Sequence, residues 1–202
     1  MPVVTDIDAL EHRHPERIDV DPMFVRRWSP RAMNGEAIRQ AELETLFEAA
    51  RWAPSCANSQ PWRFIYAHRD TDHWPVMFEL LAKGNRTWCE HAGVLILMLS
   101  RTCFERNDGP APTHGFDTGA AWMSLAMQAS RMGLVAHGMR GFDEDKAIAT
   151  FGIPDMYKVQ AMAAIGRPGE ISKLPEDLQA RETPSSRKAL SELILEGQFN
   201  WR

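Results

Sequence analysis

Cysteine is scarce in this chain. Cys56, Cys89 and Cys103 are the only three in 202 residues. They form no CxxC pair, and their odd count argues against a disulfide framework or a zinc site. A reducing cytoplasm is the compartment this implies. Blocks of Lys and Arg are also missing. With a net charge of −4, the chain lacks the electrostatic footprint of a nucleic-acid binder. Long apolar runs are absent too. The longest, residues 94–99, is far too short to span a bilayer, so no membrane association is expected. The opening MPVVTDIDALEHRHPE is too polar and acidic for a signal peptide. No GxGxxG, GxxxxGK or GxSxG occurs, so dinucleotide-fold, P-loop and serine-hydrolase readings lose their usual support. There is no internal repeat and no low-complexity tract.

What is present suffices for a folded core: 44% of residues are hydrophobic and 25% are charged. Residues 1–22 are polar and contain prolines, and read as an N-terminal arm. Residues 23–202 read as one domain with a C-terminal extension. Leu43, Leu46, Phe47 and Ala50 make a helical stripe within residues 41–53. Pro54 stops that helix, a polar turn follows, and residues 63–67 form a short strand. The continuous apolar run GVLILMLS, residues 93–100, predicts a strand buried on both faces. Residues 107–115 hold two glycines and two prolines and form a loop. Asp117 then caps a helix running to about Gly133. That helix is apolar nearly all round, which suits a deep core position or a surface shared between subunits. Residues 134–139 and 159–165 are further strands, and Gly138 and Gly141 bracket a tight bend. Residues 143–151 form a helix ending at Gly152. From Glu170 the chain is polar, with a short helix over residues 187–195 and an aromatic end, Phe199 and Trp201, expected to pack on a neighbouring surface. Helices mixed with a few buried strands give an α+β or α/β class with one central sheet.

Two stretches carry chemistry. Arg26, Arg27, Trp28, Ser29, Pro30 and Arg31 put three guanidinium groups around a hydroxyl, a set that binds phosphate oxygens or simply forms a solvated basic turn. Ala53 to Trp62 reads APSCANSQPW. Its Asn58 and Gln60 can each donate and accept hydrogen bonds. That suits the alternating carbonyls and N–H along a flavin's pyrimidine edge, and equally an ordinary loop stapled by Asx turns. His12 and His14 lie in the polar arm without matching ligands. Cys89, Glu90 and His91 are adjacent in sequence and do not point at a common metal.

RRWSPR followed by LFEAARWAPSCANSQPWRFIYA closely resembles the N-terminal signature of the nitroreductase family: an Arg-x-Ser, then a helix running into an A-P-S-x-x-N-x-Q-P-W loop. Weaker echoes extend from about residue 23 to residue 190. The resemblance implies an α+β nitroreductase-like fold, with a central mixed sheet flanked by helices in an intertwined homodimer. It implies FMN as cofactor. By the same resemblance Arg27 and Ser29 hold the phosphate and flavin edge, Arg26 and Trp28 flank them, and Arg31 lies on the pyrimidine side. Pro54, Ser55, Cys56, Ala57 and Asn58 reach the flavin of the other subunit, with Gln60 in the same loop. Asn85 bonds the ring, Arg140 and Gly141 form the bend beneath it, and Arg187 closes on the phosphate. Gly166, Arg167 and Pro168 end the last strand of the sheet.

The implied activity is a ping-pong oxidoreductase in which NAD(P)H is the electron donor and a nitroaromatic, quinone or other electron-poor small molecule the acceptor. No side chain is needed as an obligatory acid or base, so no catalytic residue is named. Relatives of this type also include dehalogenating, flavin-fragmenting and substrate-dehydrogenating enzymes, and a non-catalytic FMN-binding module is a further alternative. Four positions depart from the family pattern. Trp28 fills a place that is often smaller or polar, Cys56 one that is commonly Ser, and Ser185 one that is Lys in some relatives. Arg140 stands where some have Glu, and is expected to make the pocket more positive.

Overall fold

The computed structural model describes residues 20–199. The expected arm up to residue 19, with His12 and His14, and Trp201 at the other end lie outside the described residues.

Helix α1 (Pro22–Arg26) opens the described chain. Asp21 caps it by accepting the Met23 N–H at 2.8 Å, and Pro22 occupies the first turn, where a missing N–H costs nothing. The elements that follow are α2 (Gln40–Arg51), β1 (Trp62–His68), α3 (His73–Phe78), α4 (Lys83–Cys89), β2 (Val94–Arg101), α5 (His114–Arg131), β3 (Val135–Met139), α6 (Glu144–Phe151), β4 (Tyr157–Gly166) and α7 (Glu176–Gln179). The strands form one sheet in the order β1-β2-β4-β3.

All three pairings are antiparallel, so the expected mixed sheet is, among the described residues, an antiparallel one. The reason lies in the connections. β2 begins opposite the residue at which β1 ends, Val94 facing His68. The chain through α3 and α4 therefore returns to the same end of the sheet, whereas a parallel neighbour requires a crossover to the other end.

The sheet is covered on both faces, which explains the unbroken apolar run of β2. Leu95, Leu97 and Leu99 pack with Leu80, Leu81, Trp88 and Met162. Val94, Ile96 and Met98 point the other way, against Leu43, Leu46 and Ala50 of α2 and Leu125 of α5. The helical stripe read on α2 is buried as its spacing requires. α6 begins at the Asp143 cap and ends on Gly152 at φ 58°, as read from the sequence. The helix expected over residues 187–195 is only a 3₁₀ turn, Leu190–Glu192, and the surrounding tail is exposed. Those few residues have no apolar stripe set against the sheet that would repay the cost of nucleating a helix.

Residues 27–34 are stitched to the chain that follows β4. Met33 bridges Pro168, Gly169 donates its N–H to the Ala32 carbonyl at 3.0 Å, and Asn34 donates to the Arg167 carbonyl at 3.1 Å. A Cβ on Gly169 would come within 2.5 Å of the Met33 backbone, so the close approach depends on glycine there.

Candidate functional site

Beyond α1 the backbone runs extended, so successive side chains face opposite ways. Arg26, Trp28 and Pro30 line a cavity of about 500 Å³ against Ala126, Ser130 and Arg131 of α5. Arg27, Ser29 and Arg31 belong to the other side. Arg27 donates to the Ser29 hydroxyl at 3.4 Å and lies close enough to Arg187 for the two charges to repel. Burial first, and then the Arg187 guanidinium, pull the Arg27 pKa below the usual arginine value. Arg187 itself donates to the Ser185 hydroxyl at 3.1 Å and to the Ser186 carbonyl at 2.9 Å. Two guanidinium groups from distant parts of the chain, each bonded to a hydroxyl, thus lie close enough to feel one another's charge. A part-buried Arg27 facing the charge of an exposed Arg187 forms a site suited to an anion.

Two further residues, which carry no motif in the sequence, hold this arrangement. Glu182 is almost wholly buried. Its carboxylate accepts the backbone N–H groups of Arg31 and Ala32, the latter at 2.8 Å, and faces the Arg31 guanidinium at 3.6 Å. It thereby ties the C-terminal stretch carrying Arg187 to the segment carrying Arg27. His137 of β3 is the second. Burial is the main cause that lowers its pKa below the usual histidine value. Its Nδ1–H donates to the Pro30 carbonyl at 2.9 Å, an assignment that follows because a carbonyl can only accept. Neither residue has a local signal in the sequence, since both act through contacts between remote segments.

Asn85 and Gly141 meet on the same side of the sheet. The Asn85 amide donates to the Gly141 carbonyl at 2.8 Å, and the Ala82 N–H donates to it at 3.0 Å. A Cβ on Gly141 would fall 2.8 Å from the Asn85 amide nitrogen, so the bend needs glycine to keep that bond. Trp88, one turn beyond Asn85, lies against His137 with ring centroids 4.6 Å apart. Gly141 is four residues past His137, about 13 Å along extended chain. Arg140 corrects an expectation. Its guanidinium is ion-paired with Glu144 and lies 5.1 Å from the centroid of the Phe142 ring, so its charge is offset and does not make the pocket more positive.

The loop over residues 54–60 lies elsewhere. It contains the 3₁₀ turn Cys56–Asn58, with Ala57 at φ 50°, Asn58 at 53° and Gln60 at 46°. Such conformations are unfavourable for residues with a Cβ and persist where the surroundings hold them. The Ser55 hydroxyl accepts the Gln60 N–H at 3.0 Å, and the Gln60 side chain donates to the Asn58 carbonyl at 3.1 Å. The buried Asp117 carboxylate accepts the Cys56 N–H at 3.2 Å and the Thr113 hydroxyl at 3.1 Å. Asp117 was expected to cap α5. The helix instead starts at His114, and the carboxylate turns sideways to anchor the loop. Pro54, Cys56, Ala57 and Asn58 remain exposed.

The candidate residues therefore fall into two groups. Asp117 holds the loop at the start of α5, while Trp28 and its neighbours lie beside Ser130 at the other end. Thirteen residues of helix separate these contacts by about 20 Å. Among the described residues, no three His, Cys, Asp or Glu side chains gather as metal ligands, and no helix is long and apolar enough to cross a membrane.

Comparison with known proteins adds the following. A family model described as the nitroreductase family matches residues 25–86 and 68–167. A crystal structure described as an oxidoreductase containing FMN is 46% identical, with a TM-score of 0.90, over 94% of this chain and 97% of that one. An uncharacterized 15.4 kDa protein of Mycolicibacterium smegmatis is 32% identical over 121 residues, 59% of this chain and 80% of its own length. A Ralstonia nicotianae protein provisionally named NADH dehydrogenase/NAD(P)H nitroreductase is 26% identical over 150 residues, 65% of this chain and 76% of its own.

Proposed function

Because the chain belongs to the nitroreductase family, we propose that it is an FMN-dependent oxidoreductase that uses NAD(P)H to reduce nitroaromatic, quinone or similar electron-poor molecules. One observation carries the reading: Arg27 and Arg187, from opposite ends of the domain, converge with Ser29 and Ser185 where their charges repel. A phosphate monoester brings roughly 1.5 to 2 negative charges near neutral pH and offsets that repulsion. Arg27, Ser29 and Arg187 would hold the phosphate, while Asn85 and Gly141 would meet the ring. Bound there, FMN would supply hydride transfer between the nicotinamide and the acceptor. The protein's share is to bind, orient and neutralise, and no side chain is assigned as an acid or base.

The site is completed in this reading by a second copy of the chain. The exposed loop at residues 54–60 is too far from its own Arg27 group to serve the same ring, and would serve the partner's. Apolar exposure on α5 supports a shared face: Phe116 is 82% and Met123 38% exposed, with Gly119 exposed between them. The tail adds exposed Leu193 and Ile194. We assign residues from 23 onward to one domain with this tail as its extension. Three free cysteines fit a reducing cytoplasm.

The purified protein is expected to show flavin absorbance that disappears anaerobically with NADH or NADPH and returns with a quinone or nitroaromatic. A protein that stays colourless after incubation with FMN would contradict the proposal.

A further inference from the structure

Between β2 and α5 the chain makes a short hairpin that ends beside the loop of residues 54–60. A bridge between Cys103 and Pro110 closes it. So do hydrogen bonds at 2.8 Å from the Ala111 N–H to the Thr102 carbonyl and from the Phe104 N–H to the Gly109 carbonyl. Its side chains are thus presented from a firm support. Between hairpin and loop lies a hollow of about 360 Å³ whose walls include Asn58, Gln60, Arg63, Phe104 and Arg106.

The charges around this hollow do not cancel. Arg63 pairs with Glu105 at 2.6 Å, and Arg101 pairs with Glu105 at 3.1 Å and with Asp108 at 3.2 Å. Three arginines thus face two carboxylates, and Arg106 is the one in no ion pair among the described residues. Its guanidinium instead sits 5.0 Å from the centroid of the Phe104 ring. A cation over a ring face uses none of its N–H donors, so those of Arg106 stay available to a carboxylate.

We propose that the Phe104–Arg106 pair selects planar acceptors bearing a carboxylate, the ring packing by Phe104 and the loop while Arg106 takes the anionic group. The inference rests on the proposed function, because it needs the loop to border a flavin. Arg106 acts in it as a specificity determinant and has no part in electron transfer.

The test uses two ligands of nearly the same shape, 4-nitrobenzoate and 4-nitrobenzamide. Their binding to the FMN-loaded protein is measured by calorimetry without NAD(P)H, and their KM values with it. Wild type should bind the benzoate more tightly. Arg106→Ala should weaken benzoate binding about three- to tenfold and raise its KM in proportion, while binding of the amide changes less than twofold. Arg106→Lys keeps the charge but not the planar fork, and should recover only part of the loss. Equal losses for both ligands, no loss for either, or an effect confined to NADPH over NADH would overturn the inference. A colourless protein that binds neither ligand would count against the proposed function itself. An FMN-loaded protein in which Arg106→Ala binds both as wild type does would count against this inference alone.

Discussion

Arg27→Ala is expected to weaken FMN binding roughly 10- to 150-fold, the equivalent of about 1.5–3 kcal/mol for hydrogen bonds to a charged group. The argument is electrostatic. Burial and the Arg187 charge both disfavour the Arg27 cation, so holding it there costs the ligand-free protein free energy. An anion between the two guanidinium groups reverses the sign of that interaction. The substitution should therefore separate affinity from stability: the FMN-free variant should keep its melting temperature within a few degrees while flavin affinity collapses. Fluorescence titration of FMN and thermal denaturation of the FMN-free protein read the two effects independently. Unchanged FMN affinity would show that the phosphate lies elsewhere.

Glu182→Ala is expected to do the reverse, with stability as the primary loss. It removes the acceptor of two backbone N–H groups, Arg31 and Ala32, and strips Arg31 of its counter-charge in a largely buried place. Breaking a buried pair from one side costs about 3–5 kcal/mol. In a chain of this size that corresponds to a melting temperature lower by on the order of 10 °C. Loss of flavin should follow, because Glu182 is what brings the stretch bearing Arg187 back to Arg27. Glu182→Gln retains an oxygen for the two N–H groups and should fall between the variant and wild type. A Glu182→Ala protein that melts with wild type would mean that the segment is held by its other stitches, those to Arg167, Pro168 and Gly169.

Which features could be read from the sequence follows from how far apart their causes lie. The strand of β2, the buried stripe of α2 and the Asp143-to-Gly152 limits of α6 rest on residues within one or two turns of each other, and all appear where read. The short helices α3 and α4 leave no sequence signature, because six or seven residues are too few to display a period. α5 starts three residues before Asp117, although Asp117 has the chemistry of a cap. Its carboxylate is instead drawn to the Cys56 N–H, a partner no local rule supplies.

The same holds at the site. Arg27, Ser29, Asn85, Gly141 and Arg187 were singled out by family resemblance, and the fold brings Arg27, Ser29 and Arg187 into one group and Asn85 against Gly141. That Trp28 faces the opposite cavity follows from extended-chain alternation, which no residue of the local sequence announces. Glu182 looked like one more charge in a polar tail. Its burial depends on residues about 150 positions away. The compensation of Arg140 by Glu144 was readable in principle from their i, i+4 spacing.

The central claim is that each flavin site joins the Arg27 group of one copy to the loop of another. Pairing two damaged chains tests it directly. One chain carries Arg27→Ala. The other carries Asn58→Asp, which keeps a residue tolerant of positive φ while replacing the amide donor with a carboxylate. Each homodimer alone should bind FMN poorly. In the mixed dimer, isolated through distinct tags, one site collects both substitutions and the other collects none. The account predicts one FMN bound per mixed dimer with wild-type affinity. A mixed dimer with no site of wild-type affinity would contradict it, because each site would then be built within a single chain.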